Sequence, residues 1–205
     1  MTLRLIILTG GPGGGKTALM EELLPEPAWR RRVAALPEAI ALTQGLVVSP
    51  ADGAHRRCAL TPAADGCPAN GAGDALRRAL ADGPPRLVLC HRGSLDPLAY
   101  WLARGWVEEE FFACTATTRQ EHYSRYDAVI HLVTAAEGAL HAYRRYPEAH
   151  RGETPQEAVH LDRLLRRVWG GHPRYVLIDN AERDWSAKSA AARQALEQRW
   201  REVLG

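Results

Sequence analysis

The sequence lacks the features that mark disulfide-rich, zinc-binding or membrane-spanning proteins. Its 205 residues contain four cysteines and no CxxC pair, so neither a disulfide framework nor a standard zinc site is indicated. No apolar stretch approaches the roughly 18 residues that a membrane-spanning helix needs. The pattern predicts a cytoplasmic protein with reduced thiols and no membrane partner.

An excess of charge of one sign is also lacking. The chain has 26 basic and 24 acidic residues, for a formal net charge of +2. Such a balance does not create the field that binding to nucleic acid needs, so we expect no nucleic-acid partner. The ordinary composition, with 46% hydrophobic residues, predicts one globular domain over residues 1–205. Lysine is rare and occurs only as Lys16 and Lys188.

Short apolar runs alternate with helical patterns along the chain. This alternation predicts a three-layer α/β/α fold with a parallel sheet of about five strands. The first helix should begin near Gly15 and end before Pro25, because proline disfavours helix in the residue before it. The predicted strands are residues 3–9, 86–90, 128–133 and 174–178, with a weaker one at 33–36.

The later part of the chain contains one clear helix start. Thr154, Pro155 and Glu157 supply an N-cap, a proline at the first helical position and a glutamate at the third. This helix should end near Trp169, before two glycines. The other predicted helices are residues 74–81, 96–104, 135–143 and 184–203. The first of them lies in a segment, 49–85, that is rich in Ala, Gly, Pro and Asp and is predicted to be a mobile, loop-rich excursion.

Directly after the first strand, the sequence matches the pattern G-x-x-x-x-G-K-[ST]. The glycines let backbone N–H groups approach phosphates closely, and the following helix adds the potential of its N-terminus. Lys16 is expected to reach the β- and γ-phosphates, and the Thr17 hydroxyl to bind Mg²⁺. The predicted nucleotide-binding residues are Gly10, Gly11, Pro12, Gly13, Gly14, Gly15, Lys16, Thr17 and Ala18.

Missing motifs narrow the class of nucleotide-binding protein. There is no N-K-x-D element to recognise guanine and no D-x-x-G element to sense a γ-phosphate, so a Ras-type GTPase is not indicated. No strand ends in Asp-Glu, as one would in a large motor ATPase. The sequence therefore favours ATP over GTP, although the loop can accept either, and phosphoryl transfer to a small acceptor.

Several residues could serve that acceptor. Glu38 follows the weaker strand, where a carboxylate could act as a general base, although a helix N-terminal glutamate is an equal alternative. Arg92 and Asp96 follow the 86–90 strand; Arg92 could bind phosphate oxygens, and Asp96 could bind the acceptor or cap a helix. Arg144, Arg145 and Arg151 lie in a loop that could close over the nucleotide as a lid at about 141–157, although a solvated basic loop is the alternative.

The motifs TGGPGGGKT, PEA, RGSLDPLAYW, YDAVIHLV and RGETPQEA together resemble a family of small AAA-type P-loop ATPases, related to the ribosylnicotinamide kinase domain. The resemblance implies a nucleoside-kinase-like core. Within it, Glu38 would be the acceptor-side glutamate, Arg92 the arginine of a D-R-G or D-R-S element, and Arg151 the lid arginine of an R-x-E element.

One position departs from the resemblance. The relatives usually have an aspartate that supports Mg²⁺ just before Arg92, and this chain has His91. Mg²⁺ prefers oxygen ligands. Either Glu38 or Asp96 then supports the metal, or catalysis is weakened and nucleotide binding remains.

Two hypotheses follow. The first is an ATP- and Mg²⁺-dependent kinase that phosphorylates a small hydroxyl-bearing molecule, with Lys16, Glu38, Arg92 and Arg151 as catalytic residues and Thr17 and Asp96 as metal ligands. In it, Glu38, Arg92 and Asp96 also contact the acceptor. The second is a nucleotide-binding regulatory module, or a slow ATPase or GTPase, without a small-molecule acceptor.

Overall fold

A computed structural model describes residues 3–36, 86–145, 153–182 and 184–204. In these residues five strands form one sheet in the order β2-β3-β1-β4-β5, and every neighbouring pair is parallel. The strands are β1 (Leu3–Thr9), β2 (Val33–Leu36), β3 (Arg86–His91), β4 (Ala128–Leu132) and β5 (Tyr175–Ile178). The predicted parallel sheet, including its weak strand at 33–36, is confirmed.

Eight helices lie between and after these strands in the described part of the chain. They are α1 (Lys16–Leu23), α2 (Pro27–Arg32), α3 (Asp96–Ala103), α4 (Glu108–Thr115), α5 (Arg119–Ser124), α6 (Leu140–Arg145), α7 (Pro155–Trp169) and α8 (Trp185–Leu204). None of the described helices is long and apolar enough to cross a membrane.

The central strand β1 is buried on both faces, as the apolar run at its positions requires. Ile6 and Leu8 point to a cluster that includes residues of α1 and α8, whereas Ile7 points to one that includes α3 and α7. Helices therefore cover both faces of the sheet, which is the expected three-layer arrangement. Since all strands are parallel, their carboxyl ends meet at one edge of the sheet, where ligands bind in such folds.

Two of the predicted helices need comment. The capped helix is confirmed: Thr154 and Glu157 form a reciprocal capping box at the start of α7. The helix predicted for residues 135–143 was placed too early, because α6 begins only at Leu140. Gly138 has a left-handed backbone, with φ of 90°, and the Asn180 side chain donates to the carbonyl of Glu137, so residues 135–138 form a turn. The predicted helix at 74–81 and the excursion at 49–85 lie outside the described residues.

Candidate active site

The glycine-rich loop joins β1 to α1 at the carboxyl edge of the sheet. Gly10, Gly13 and Gly15 all have positive φ, at 127°, 72° and 92°. A Cβ at Gly10 would also lie 2.0 Å from the carbonyl oxygen of Leu132. Glycine is required at Gly10 by both conformation and space, which explains the composition of the motif physically.

The Lys16 side chain is buried and bridges this loop. Its Nζ donates to the carbonyl oxygen of Gly10 at 2.8 Å and to that of Gly11 at 3.1 Å. The predicted phosphate-binding cation therefore lies inside the loop, as the motif requires. The helix that begins at Lys16 presents its N-terminus to the same space.

A second loop, after β4, supports the glycine-rich loop from the side. The Thr134 hydroxyl donates to the carbonyl oxygen of Pro12, and the Ala135 N–H donates to that of Gly13 at 3.1 Å. These contacts satisfy the carbonyl oxygens of two loop residues. The N–H groups of Gly11 and Gly14 donate to Asp162 and to the Gly11 carbonyl oxygen, so an anion would be bound by other N–H groups of the loop.

Arg92 lies where β3 ends, beside the glycine-rich loop. Its backbone is left-handed, with φ of 78°, a conformation that costs about 1 kcal/mol for a residue with a side chain and is common at functional sites. The guanidinium Nη1 lies 3.5 Å from the Gly10 carbonyl oxygen and 3.5 Å from Asp96 Oδ2, and the group stacks over the Tyr100 ring. The structure thus brings Arg92 and Lys16 to one carbonyl group.

Asp96 is fully buried and is the first residue of α3, rather than its N-cap. Its carboxylate accepts hydrogen bonds from the Thr9 hydroxyl, at 3.1 and 2.9 Å, and from Trp169 Nε1 at 2.7 Å. The Gly93 N–H adds a bond of 3.3 Å. A carboxylate with this many protein donors and no exposure is suited to holding the turn after β3. This geometry does not favour the predicted roles of Asp96 in binding Mg²⁺ or the acceptor.

The atoms around Thr17 determine whether the site suits Mg²⁺. The Thr17 side chain is exposed, and its hydroxyl lies 3.3 Å from Nε2 of His91. Thr17 offers one oxygen of the kind Mg²⁺ prefers, but the nitrogen of His91 is a poor partner. No cluster of three or more acidic, histidine or cysteine residues suited to a metal occurs among the described residues. Among the described residues, Thr17 is therefore the fitting ligand that the structure places at the start of α1.

Glu38 and Arg151, two predicted catalytic residues, lie outside the described residues. Arg144 and Arg145, which were predicted to lie in a loop, are instead the last two residues of α6. Of the predicted set, the structure thus brings Lys16, Thr17, Arg92 and Asp96 together.

One residue at the site was not predicted from the sequence. Asp162, on α7, is fully buried and accepts the Gly11 N–H at 2.7 Å. Burial raises the pKa of its carboxyl, but hydrogen bonds from His131 and Gly11 and the charge of Arg166 outweigh burial and hold the pKa well below its usual range. A signal was present, because Asp162 shares the apolar face of α7 with residues such as Ala158 and Leu165, where a charge is unusual.

Comparison with known proteins agrees with this fold. A family model described as an AAA domain matches residues 5–188. Two structures of deoxyadenosine kinase from M. mycoides are similar at 11% sequence identity. The structure with bound dATP covers 94% of this chain and 99% of its own, with a TM-score of 0.52. The structure with the products dCMP and a flexible dCDP covers 95% and 99%, with a TM-score of 0.53. No curated protein matches the sequence.

The fold and the glycine-rich loop define a P-loop enzyme of the kinase-like or NTPase class. Within that class, the chain belongs to the AAA domain family, whose model covers nearly the whole chain. At 11% identity the likeness to deoxyadenosine kinase concerns the fold, which agrees with the nucleoside-kinase-like core that the sequence motifs implied.

Proposed function

We propose that the protein is an ATP- and Mg²⁺-dependent phosphotransferase that acts on a small hydroxyl-bearing molecule. The observation that carries the proposal is the approach of two cations to one point of the P-loop. Lys16 Nζ lies 2.8 Å and Arg92 Nη1 3.5 Å from the carbonyl oxygen of Gly10. Two positive groups, one at the start of α1 and one after β3, suit the negative charge of a transferring phosphoryl group.

Each group has a role in this proposal. Loop N–H groups other than those of Gly11 and Gly14 bind the phosphates of ATP, Lys16 neutralises the β- and γ-phosphates, and Arg92 holds the transferring group. The Thr17 hydroxyl would hold Mg²⁺ in part, and the ion would neutralise further phosphate charge. Glu38 takes the proton of the acceptor hydroxyl and Arg151 closes the site; these two roles rest on the sequence motifs alone.

The acceptor is proposed to be a nucleoside or a molecule of similar size. The support is the fold shared with a deoxyadenosine kinase, together with sequence motifs that resemble the ribosylnicotinamide kinase domain. Fold alone does not define a substrate, so the acceptor has to be found by experiment. The missing guanine-recognition motif supports ATP as the donor.

The test is ADP release from ATP, measured with and without a panel of nucleosides, sugars and other hydroxyl-bearing metabolites. An acceptor should raise turnover well above the rate in its absence. Arg92→Gln should lower the stimulated rate by about a hundredfold, the scale on which removing one charge-stabilising donor acts. Arg4→Gln is a matched control, since Arg4 pairs with Asp127 at the opposite end of β1. If no acceptor stimulates turnover and Glu38→Gln leaves hydrolysis unchanged, the kinase proposal fails.

The contact between His91 and Thr17 supports the second candidate, a nucleotide-binding module with slow or absent hydrolysis. A histidine 3.3 Å from the predicted Mg²⁺ ligand replaces the oxygen that a strong metal site would use. His91→Asp should then raise Mg²⁺-dependent ADP release. An unchanged rate across a Mg²⁺ titration would remove this reason for preferring the second candidate.

A further inference from the structure

The peptide group that joins Gly10 to Gly11 is held from two opposite sides. Its carbonyl oxygen accepts from Lys16 Nζ at 2.8 Å, and its N–H donates to Asp162 Oδ1 at 2.7 Å. A peptide group is planar, so fixing the direction of its N–H also fixes the direction of its C=O. The position of Asp162 therefore determines where the Gly10 carbonyl points.

Asp162 is itself held firmly. Its Oδ1 also accepts the Thr134 N–H at 3.0 Å and contacts His131 Nε2 at 3.1 Å. Its Oδ2 accepts from Arg166 Nε at 2.8 Å. These partners come from β4, from the loop after it and from α7, and they compensate a charge that is fully buried.

The helix that carries Asp162, α7, packs directly on the glycine-rich loop. A Cβ at Gly11 would lie 2.8 Å from Asp162 Cβ and 3.0 Å from the carbonyl oxygen of Ala158. Such close contact leaves no room for a side chain at Gly11. The loop and α7 are therefore in direct contact where Asp162 meets Gly11.

An anionic group beside a phosphate-binding loop needs a reason, because its charge opposes the binding of phosphate. Here the carboxylate is turned to the Gly11 N–H, to Thr134 and to Arg166, so its charge is largely compensated by protein donors. The contribution left to it is geometric: it aligns the Gly10–Gly11 peptide. A carboxylate acceptor also makes this hydrogen bond stronger than a neutral one would be.

We propose that Asp162 is a positioning residue for nucleotide binding, which acts on Lys16 through the Gly10–Gly11 peptide. Its bond to the Gly11 N–H keeps the Gly10 carbonyl directed at Lys16 Nζ, and so keeps the ammonium group where it meets the phosphates. The inference rests on the nucleotide binding in the proposed function and not on the acceptor. It assigns a role in nucleotide affinity to α7, which no predicted nucleotide-binding residue occupies.

The first experiment compares Asp162 with a second carboxylate that also binds a backbone N–H and an arginine. Asp162 binds a backbone N–H and an arginine; Asp127 binds the Leu5 N–H at 2.8 Å and Arg4 at 2.7 Å, away from the site. Calorimetry with ATP alone should show affinity reduced about tenfold or more in Asp162→Asn, since small displacements of binding groups have effects of this size. Asp127→Asn should stay within about twofold of the wild type. An Asp162→Asn protein that is folded and binds ATP within about twofold of the wild type would overturn the proposal.

The second experiment separates positioning from a general loss of stability. Asp162→Asn is combined with Lys16→Ala, and ATP affinity is measured for all four proteins, with titrations carried to millimolar nucleotide. If Asp162 acts through Lys16, Asp162→Asn should lower ATP affinity by less than about threefold in the Lys16→Ala background. An equal loss in both backgrounds would contradict the proposed route. If Lys16→Ala alone leaves ATP affinity unchanged, the proposed function fails instead.

A further variant covers the case in which Asp162→Asn does not fold. Asp162→Glu keeps the charge beside Arg166 but moves the oxygens by one methylene, so it displaces the Gly10–Gly11 peptide without leaving an arginine uncompensated. It should also reduce ATP affinity. In protein labelled with ¹⁵N-glycine, the Gly11 amide proton should shift on this substitution and remain in place in Asp127→Asn. Wild-type affinity and an unmoved Gly11 signal would contradict the inference.

Discussion

At the scale of single residues, His122 shows how packing sets a protonation state. It lies on α5 and is buried; its Nδ1 is 2.8 Å from the Ser94 hydroxyl and its Nε2 is 2.9 Å from that of Thr117. Burial lowers its pKa to about 4, with a further contribution from the charge of Arg125. The folded protein therefore keeps this imidazole neutral over the range in which an exposed histidine gains a proton.

This pKa predicts a loss of stability in acid. Between about pH 6.5 and pH 4 the unfolded chain binds the proton and the folded state does not, so the free energy of unfolding falls as the pH falls. His122→Gln cannot gain this proton. Across the window, wild type should lose about 2 kcal/mol relative to the variant in urea unfolding. His160→Gln, at an exposed position, is the control and should follow the wild-type curve. Parallel curves for wild type and His122→Gln would disprove the assignment.

The predictability of the site also differs from residue to residue. Lys16 could be placed because its motif is local: the loop, the lysine and the helix are consecutive in sequence. Asp162 could not be paired with Gly11, because 151 residues separate them and only the tertiary fold joins them. The burial of Asp96 could not be predicted for the same reason, since Trp169 and Thr9, which bind it, are far from it in the sequence.

At the scale of elements, α5 and α7 begin with the same device. Thr118 and Glu121 form a capping box on α5, and Thr154 and Glu157 form one on α7. Only the second was predicted, although both match the same four-residue pattern. The sequence also indicated where two other helices begin. The first residue of α2 is a proline, and α4 begins with three glutamates. These helices were missed although their local sequence contained the information.

The two capping boxes provide a matched pair of variants. Thr154→Ala and Thr118→Ala should each lower the free energy of unfolding by about 1 kcal/mol, since each removes an N-cap acceptor. Only α7 carries Asp162, so only Thr154→Ala should also weaken ATP binding, by a few-fold, as the start of α7 loosens. Urea unfolding and calorimetry measure the two effects. Equal ATP affinity in the two variants would show that the start of α7 does not influence the loop.

At the scale of the whole molecule, the periodic apolar runs were enough to predict a five-stranded parallel sheet covered on both faces. The strand order needed the structure, because no local pattern states that β1 lies between β3 and β4. Contacts across the sheet's carboxyl edge likewise arise only when the chain is folded. Lys188 is an example: its Nζ donates to the Val133 carbonyl oxygen and to Asn180 Oδ1, which joins α8 to β4 and β5.

Lys188 has a buried amino group beside a cavity of about 180 Å³ between β5 and α8. Burial lowers its pKa to about 8, although the charges of Asp162 and Asp179 act in the opposite direction. Below pH 8 both the folded and the unfolded state carry the proton, so the cost of burying the charge is present in full. Between about pH 8 and 10.5 only the unfolded chain keeps it, and the free energy of unfolding should rise with pH.

Comparison of wild type with Lys188→Met isolates this contribution. The variant has no amino group, so wild type should gain about 2 kcal/mol relative to it between pH 7.5 and pH 10, measured by urea unfolding. Arg201→Met is the control on the same helix, because Arg201 is exposed and arginine keeps its charge throughout. A constant difference between wild type and Lys188→Met would mean that the ammonium is hydrated in the folded protein. In that case α8 would be joined to the sheet by apolar packing around Ala192 and Leu196 rather than through a desolvated lysine.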